Sequence, residues 1–166
     1  MSKNKAGGKG KKEEAVAEVI AVIEPEFTNG SGTFIFPDNS KYEGDYQTNC
    51  SDGSKRRHGN GVITWNYGPV ERYNGQWSED KMTGTGTYQF ASGAEYKGSM
   101  KDNLFNGEGS YLFTDGARYT GGWMQNKMHG SGTYVDPTGV TWSGTFFNGL
   151  FDAGKTHISL RPTEGI

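Results

Sequence analysis

The string Gly149-Leu150-Phe151-Asp152-Ala153-Gly154-Lys155-Thr156 matches the pattern G-x-x-x-x-G-K-[ST], in which backbone amides and a lysine cradle nucleotide phosphates. That chemistry needs a buried strand before the loop and a helix after it, with the helix N-terminus facing the phosphate. Only ten residues follow Thr156, Pro162 among them, and Gly149 falls where a hairpin turn is expected. The match is therefore read as coincidence. His58, His129, His157 and Cys50 are scattered, with no H-x-x-x-H or C-x-x-C spacing, so no metal site and no cofactor are expected. Gly130-Ser131-Gly132 is the repeat's ordinary glycine pair, and no G-x-S-x-G elbow is present. The acids fall mostly in turns, where solvation accounts for them. No catalytic residue is assigned, and the chain is expected not to be an enzyme.

The elements that would carry any site are repeats. From Tyr73 to Thr141 the chain reads YNGQWSEDKMTGTGTYQFASGAE, YKGSMKDNLFNGEGSYLFTDGAR and YTGGWMQNKMHGSGTYVDPTGVT, three gapless copies of 23 residues. Units of this size bury little alone and must stack on their neighbours. Within one copy Tyr73, Gly75 and Trp77 alternate with polar residues, as do Gly84, Gly86 and Tyr88, which predicts two strands joined by SEDKMT as an antiparallel hairpin. Glycine recurring inside strands predicts rings lying flat over the space a Cβ would fill. Ser92-Gly93, Asp115-Gly116 and Thr138-Gly139 supply turns between copies, with Asp38-Asn39 in the first.

The predicted fold is all-β, an elongated single-layer array of stacked antiparallel hairpins. Residues 30–153 form it as a half unit, four units and a half unit. The unit beginning at Tyr42 is 31 residues long, and its polar insertion TNCSDGSKRRH is expected to be an enlarged loop at a hairpin tip. The last unit has Ala153 where the first glycine of a pair belongs. Both terminal strands are then open edges, available for self-association or for a strand of another protein.

Stacking places like positions in ladders. Tyr42, Tyr73, Tyr96, Tyr119 and Trp142 lead, each followed by Gly44, Gly75, Gly98, Gly121 and Gly144, and the pairs Gly84 and Gly86, Gly107 and Gly109, Gly130 and Gly132 complete the repeat. Repeated rings at fixed offsets are core in the first instance. Trp77, Met82, Met100, Phe105, Trp123, Met128, Phe146 and Phe151 admit a second reading, since methionines beside aromatics also line grooves that take a partner's helix. These eight are the candidate partner-binding groove.

Apolar residues make up 32% of the chain and aromatics 13%, with 27 glycines, a composition unlike that of an α/β enzyme. The lone Cys50 allows no internal disulfide. No signal peptide and no apolar run of spanning length is apparent, so a soluble, cytoplasmic chain is expected. The sequons at Asn29 and Asn49 are then chance. Lys3, Lys5, Lys9, Lys11 and Lys12 form a basic tail over residues 1–12; removing them from the 17 basic residues leaves 12 against 19 acids, about −7 from Glu13 onward. The tail either solubilises or touches an anionic surface. Residues 13–29 are read as a capping segment whose aliphatic run suits a strand or a short helix, and residues 154–166 as a C-terminal tail.

The unit Y-x-G-x-W/F…M/F-x-G-x-G-x-Y…DG at a 23-residue period resembles the MORN repeat, from about Gly30 to Ala153. Residues 96–147 most resemble a small member associated with testis and the sperm flagellum. The resemblance implies a non-catalytic interaction or scaffold module in a cilium or flagellum, of the radial-spoke and axoneme kind, binding a helix or strand of a cytoskeletal partner and no nucleic acid. The alternative it implies is a phospholipid-associated adaptor. An array near −7 is repelled by anionic lipid, so that alternative depends on the basic tail and on Lys55-Arg56-Arg57.

Overall fold

The computed structural model describes residues 26–66 and 68–161. The readings for residues 1–12 and for the aliphatic run 13–24 lie outside the described residues. Twelve strands follow in chain order: β1 (Phe27–Ile35), β2 (Lys41–Asn49), β3 (Lys55–Trp65), β4 (Glu71–Ser78), β5 (Lys81–Gln89), β6 (Glu95–Lys101), β7 (Leu104–Leu112), β8 (Arg118–Met124), β9 (Lys127–Val135), β10 (Thr141–Phe147), β11 (Leu150–Asp152) and β12 (His157–Ile158). They form one open sheet in which each strand pairs with the next, all antiparallel, so the strand pairing is between sequence neighbours. At ~4.8 Å per strand the stack runs roughly 50 Å.

Two-residue turns close the hairpins. Glu79-Asp80, Asp102-Asn103, Gln125-Asn126 and Asn148-Gly149 all have positive φ at both positions, as a type I′ turn requires to match the twist of the strands it joins. The hairpin link is thus shorter than the predicted SEDKMT, since Lys81, Met82 and Thr83 already belong to β5.

A column of ten glycines crosses the sheet, Gly32, Gly44, Gly61, Gly75, Gly86, Gly98, Gly109, Gly121, Gly132 and Gly144, each paired with the next. Tyrosine rings lie along it. A Cβ on Gly61, Gly86, Gly109 or Gly132 would stand 2.5–2.7 Å from ring carbons of Tyr42, Tyr73, Tyr96 or Tyr119 respectively. Each of these hydroxyls donates to the backbone carbonyl three residues on: Tyr42 to Asp45 at 2.6 Å, Tyr73 to Gln76 at 3.0 Å, Tyr96 to Ser99 at 2.7 Å and Tyr119 to Gly122 at 2.9 Å. The ring fills the void over the glycines while its polar tip is satisfied.

The two glycines of each Gly-x-Gly pair have different tasks. The second joins the column. The first, at Gly59, Gly84, Gly107 and Gly130, has φ of 80°, 58°, 95° and 72° and lies where the ladder register shifts. Such irregularities bend a strand and increase its twist, and the left-handed backbone there suits glycine.

Repeated at four successive hairpins, the bend curls the sheet toward its ring face. Phe90 bonds opposite Ala94, and Phe105 pairs with Met100 six residues further along the same chain. A flat strand would separate those levels by roughly 20 Å, yet the two rings are 6.1 Å apart. A single layer thereby acquires an interior. Tyr42, Tyr73, Tyr96, Tyr119, Tyr134 and Phe146 are fully buried in it.

Three sequence-based boundaries are corrected. The array begins at Phe27, so residues 27–29 belong to a strand and not to the preceding segment. The insertion TNCSDGSKRRH is only in its middle a loop: Thr48 and Asn49 extend β2, Lys55 to His58 extend β3, and Gln47 pairs with Arg56. Its arginines are held in the ladder by rings, with the Arg56 guanidinium 4.0 Å from Phe27 and that of Arg57 4.3 Å from Trp77. Finally, β12 pairs with β11 inside the stretch read as a C-terminal tail.

Candidate interaction surface

The curl decides the fate of the predicted groove. Trp77, Met100, Phe105, Trp123, Met128 and Phe146 are 1–5% exposed; they are core, and Phe105 stacks on Tyr96 at 3.7 Å. Met82 and Phe151 are half-buried against the same cluster. The reading of the six buried ones as contact residues is corrected, because closure of the ring face consumes the surface that a flat sheet would have offered; Met82 and Phe151 keep a partly open face. Of the leading ladder only Trp142 stays half-buried, at the end where fewer strands follow.

What remains accessible is a rim of half-buried rings above the core, including Phe34, Phe36, Trp65, Tyr88, Phe90 and Trp142. From Trp65 to Trp142 ring contacts run through the rim and through the buried Tyr111, Phe113 and Tyr134 beneath it, Trp65 to Tyr88 at 5.8 Å, Tyr88 to Phe90 at 4.7 Å, Phe90 to Tyr111 at 5.6 Å, Tyr111 to Phe113 at 4.5 Å, Phe113 to Tyr134 at 6.2 Å and Tyr134 to Trp142 at 5.9 Å. The alternation of strand side chains puts small polar residues on the other face. Thr120 bonds Ser110 and Thr133 bonds Ser143 there. Periodicity located the rings but not which of them stay open, since that depends on the curl.

The edges differ. β1 has nine residues, FTNGSGTFI, with no charge and no proline, and its outer side has no partner among the described strands. Edge strands are usually protected by charge, proline or shortness; β12, at the other end, has only two residues.

Burial pushes the tyrosine hydroxyls up, to about 12 for Tyr73 and Tyr119, and for Tyr42 also to about 12 with Asp45 adding to the effect. None is therefore a base at neutral pH. A cavity of about 330 Å³ lined by Asn29, Ser31, Asp45, Tyr46 and His58 has its carboxylate already engaged by the Ser31 hydroxyl at 2.6 Å and the Asn60 amide at 3.0 Å. Cys50 is exposed. Among the described residues no group of three His, Cys, Asp or Glu side chains is placed to hold a metal, and no helix is long and apolar enough to cross a membrane. The phosphate-loop string falls on the β10–β11 turn and the bend before β12, and no helix follows Thr156 among the described residues.

The basic cluster proposed for lipid contact is largely spoken for. Arg56 pairs with Glu79 at 3.2 Å and Arg57 with Asp80 at 2.9 Å, while the Lys55 ammonium lies 4.9 Å from the Tyr46 ring.

A curled sheet of locally paired hairpins, filled by rings on a glycine column, defines a β-hairpin repeat protein. The repeat itself is recognisable: the MORN repeat matches residues 27–41, 54–66, 73–95, 96–118 and 119–141, more than half of the chain, which belongs to the MORN repeat family. Repeats of this family mediate protein–protein or membrane interactions. No curated protein matches the chain. Residues 142–153 fall outside the matched segments, yet β10 and β11 continue the sheet through them.

Proposed function

We propose that this array is a non-catalytic scaffold that holds other proteins, as a structural or assembly component of a cilium or flagellum. The observation that carries the reading is the contrast between a filled interior and an open edge. The rings fill the interior, whereas β1 offers nine residues of uncharged backbone and the rim offers half-buried aromatics beside it. Strand addition and ring-lined rims are established routes to protein recognition. Placement in the axoneme, among radial-spoke-like structures, is supported only by the sequence reading in which the motifs of residues 96–147 resemble a small family member associated with testis and the sperm flagellum. The expected location is cytoplasmic and cytoskeletal.

Crosslinking mass spectrometry of the native complex tests the scaffold reading. Crosslinks from Lys41 or Lys55, flanking β1 and the rim, to one axonemal protein are expected. A protein recovered without stoichiometric protein partners would overturn it.

The membrane alternative keeps one observation in its favour, the five lysines of the first twelve residues. Flotation with anionic vesicles, with and without residues 1–12, separates the two. Binding lost with residues 1–12 would assign lipid contact to those lysines, and binding that survives their loss would put the lipid adaptor ahead of the scaffold reading, because the paired arginines are not expected to supply it.

A further inference from the structure

The rim is open at Phe90 and Trp65, but over Phe113 it already has an occupant. Beyond β12 the chain returns to the ring face, Leu160 packs against the core, and the Arg161 guanidinium lies 3.9 Å from the Phe113 ring centroid. Its two terminal nitrogens reach the two oxygens of Asp115, at 3.0 and 3.3 Å. One of them also donates to the Tyr134 hydroxyl at 3.3 Å. A planar stack, a two-pronged carboxylate and a hydroxyl acceptor together read the features that distinguish arginine from lysine.

The recognition set is built from two successive copies. Phe113 and Asp115 lie just after β7, where the Asp115 carboxylate is oriented by the Ala117 amide at 3.0 Å, and Tyr134 comes from β9. The preceding copy has Phe90 and Tyr111 at the same offsets but Ser92 in place of the carboxylate. That makes the complete set particular to one place in the array.

What brings Arg161 there is slight. The tail is tied to the sheet by two residue pairs of β11 and β12, residues 153–159 are exposed, and the Asp115 side chain is 43% exposed even with the arginine in place. A solvent-exposed ion pair on so short a tether is easily exchanged. The acidic balance of the chain beyond its basic tail, about −7, also favours an incoming basic segment.

We propose that Phe113, Asp115 and Tyr134 form a binding site for an arginine of a protein partner, and that Leu160-Arg161 occupies it as an internal stand-in. The ligand is an extended segment with an apolar residue directly before the arginine, as the tail has. Partner binding then releases the tail. This inference rests on the scaffold reading and names the chemistry of one of its contacts.

The test is fluorescence anisotropy with a labelled peptide of residues 155–166, added in trans to the full chain. Arg161→Ala is expected to bind it at least tenfold more tightly than the parent protein, which is self-occupied. Adding Asp115→Ser is expected to abolish that gain, and a peptide with lysine in place of the arginine to bind at least tenfold more weakly. Equal binding by the parent and Arg161→Ala, or equal binding of the two peptides, overturns the proposal. Should Arg161→Ala fold poorly by circular dichroism, Arg161→Lys serves instead, with the same direction expected. Failure here leaves crosslinks at β1 untouched, so the loss of this site and the loss of the scaffold reading are told apart.

Discussion

Asn126 and Phe105, in consecutive copies, exchange a pair of hydrogen bonds. The Asn126 amide donates to the Phe105 carbonyl at 3.1 Å, and the Phe105 amide donates to the Asn126 side-chain oxygen at 2.7 Å. Asn103 and Met82 repeat the arrangement at 3.0 and 2.8 Å, and Asp80 and Arg57 at 3.1 and 2.9 Å. The second residue of each hairpin turn thus fastens its tip to the hairpin before it. One short polar side chain both tolerates the positive φ and satisfies an amide at the start of the neighbouring strand.

Removing one lock isolates its worth. Asn126→Gly keeps the turn conformation and loses the side-chain acceptor, so the Phe105 amide must find water. A cost of about 1 kcal/mol is expected, read as a shift of the urea midpoint with unchanged slope. The Asn126→Ala variant should cost about 1 kcal/mol more, through strain at φ 67°.

The last hairpin carries half a lock. Gly149 donates its amide to the Met128 carbonyl at 2.9 Å but has no side chain to return the bond. A Cβ there meets nothing within 4 Å. Gly149→Asn is therefore expected to stabilise the protein by about 0.5–1 kcal/mol, raising the melting temperature by a few degrees in calorimetry. An unchanged or lower melting point would count against the lock.

Glycines in the column and glycines in the turns should respond differently. A Cβ on Gly109 would crowd the Tyr96 ring at 2.5–2.7 Å, whereas one on Gly116 meets nothing and suffers only from φ 89°. Gly109→Ala is expected to cost about 3 kcal/mol, the upper end for overpacking. For Gly116→Ala about 1–2 kcal/mol is expected. Chemical unfolding of the two variants side by side decides whether the ring seats are as tight as the geometry requires.

Alkaline stability follows from the buried hydroxyls. Tyr42, Tyr73 and Tyr119 hold their protons up to about 12 in the folded state against about 10 in an unfolded chain. The folded state binds protons more tightly, so this contribution is complete below pH 10 and is lost as pH rises through 12. Urea midpoints are expected to be flat between pH 7 and 9 and to fall steeply above 10. A Tyr73→Phe variant should start lower and fall less steeply.

The sequence displayed the repeat and its two kinds of residue because both are periodic: Tyr96 and Tyr119 stand 23 residues apart, as do Gly98 and Gly121. Alternation then places ring and glycine on one side of a strand, which is enough to derive hairpins, their order and an antiparallel sheet. The same periodicity could not tell the two glycines of a pair apart, since Gly107 and Gly109 look alike until one is seen to bend the backbone and the other to seat Tyr96.

Curvature is a sum over hairpins, and no single window of sequence contains it. For that reason Trp123 and Met128, which on a flat sheet would form a contact ladder, proved to be interior once ends six residues apart closed to ring contact. Arg56 and Arg57 look like solvated charge in the string but are stacked on Phe27 and Trp77. Most distant of all, Arg161 lies 46 residues from Asp115. Repetition along the chain determined the architecture of this protein; which rings stay open, and what already rests on them, was decided by how the sheet folds back over its own side chains.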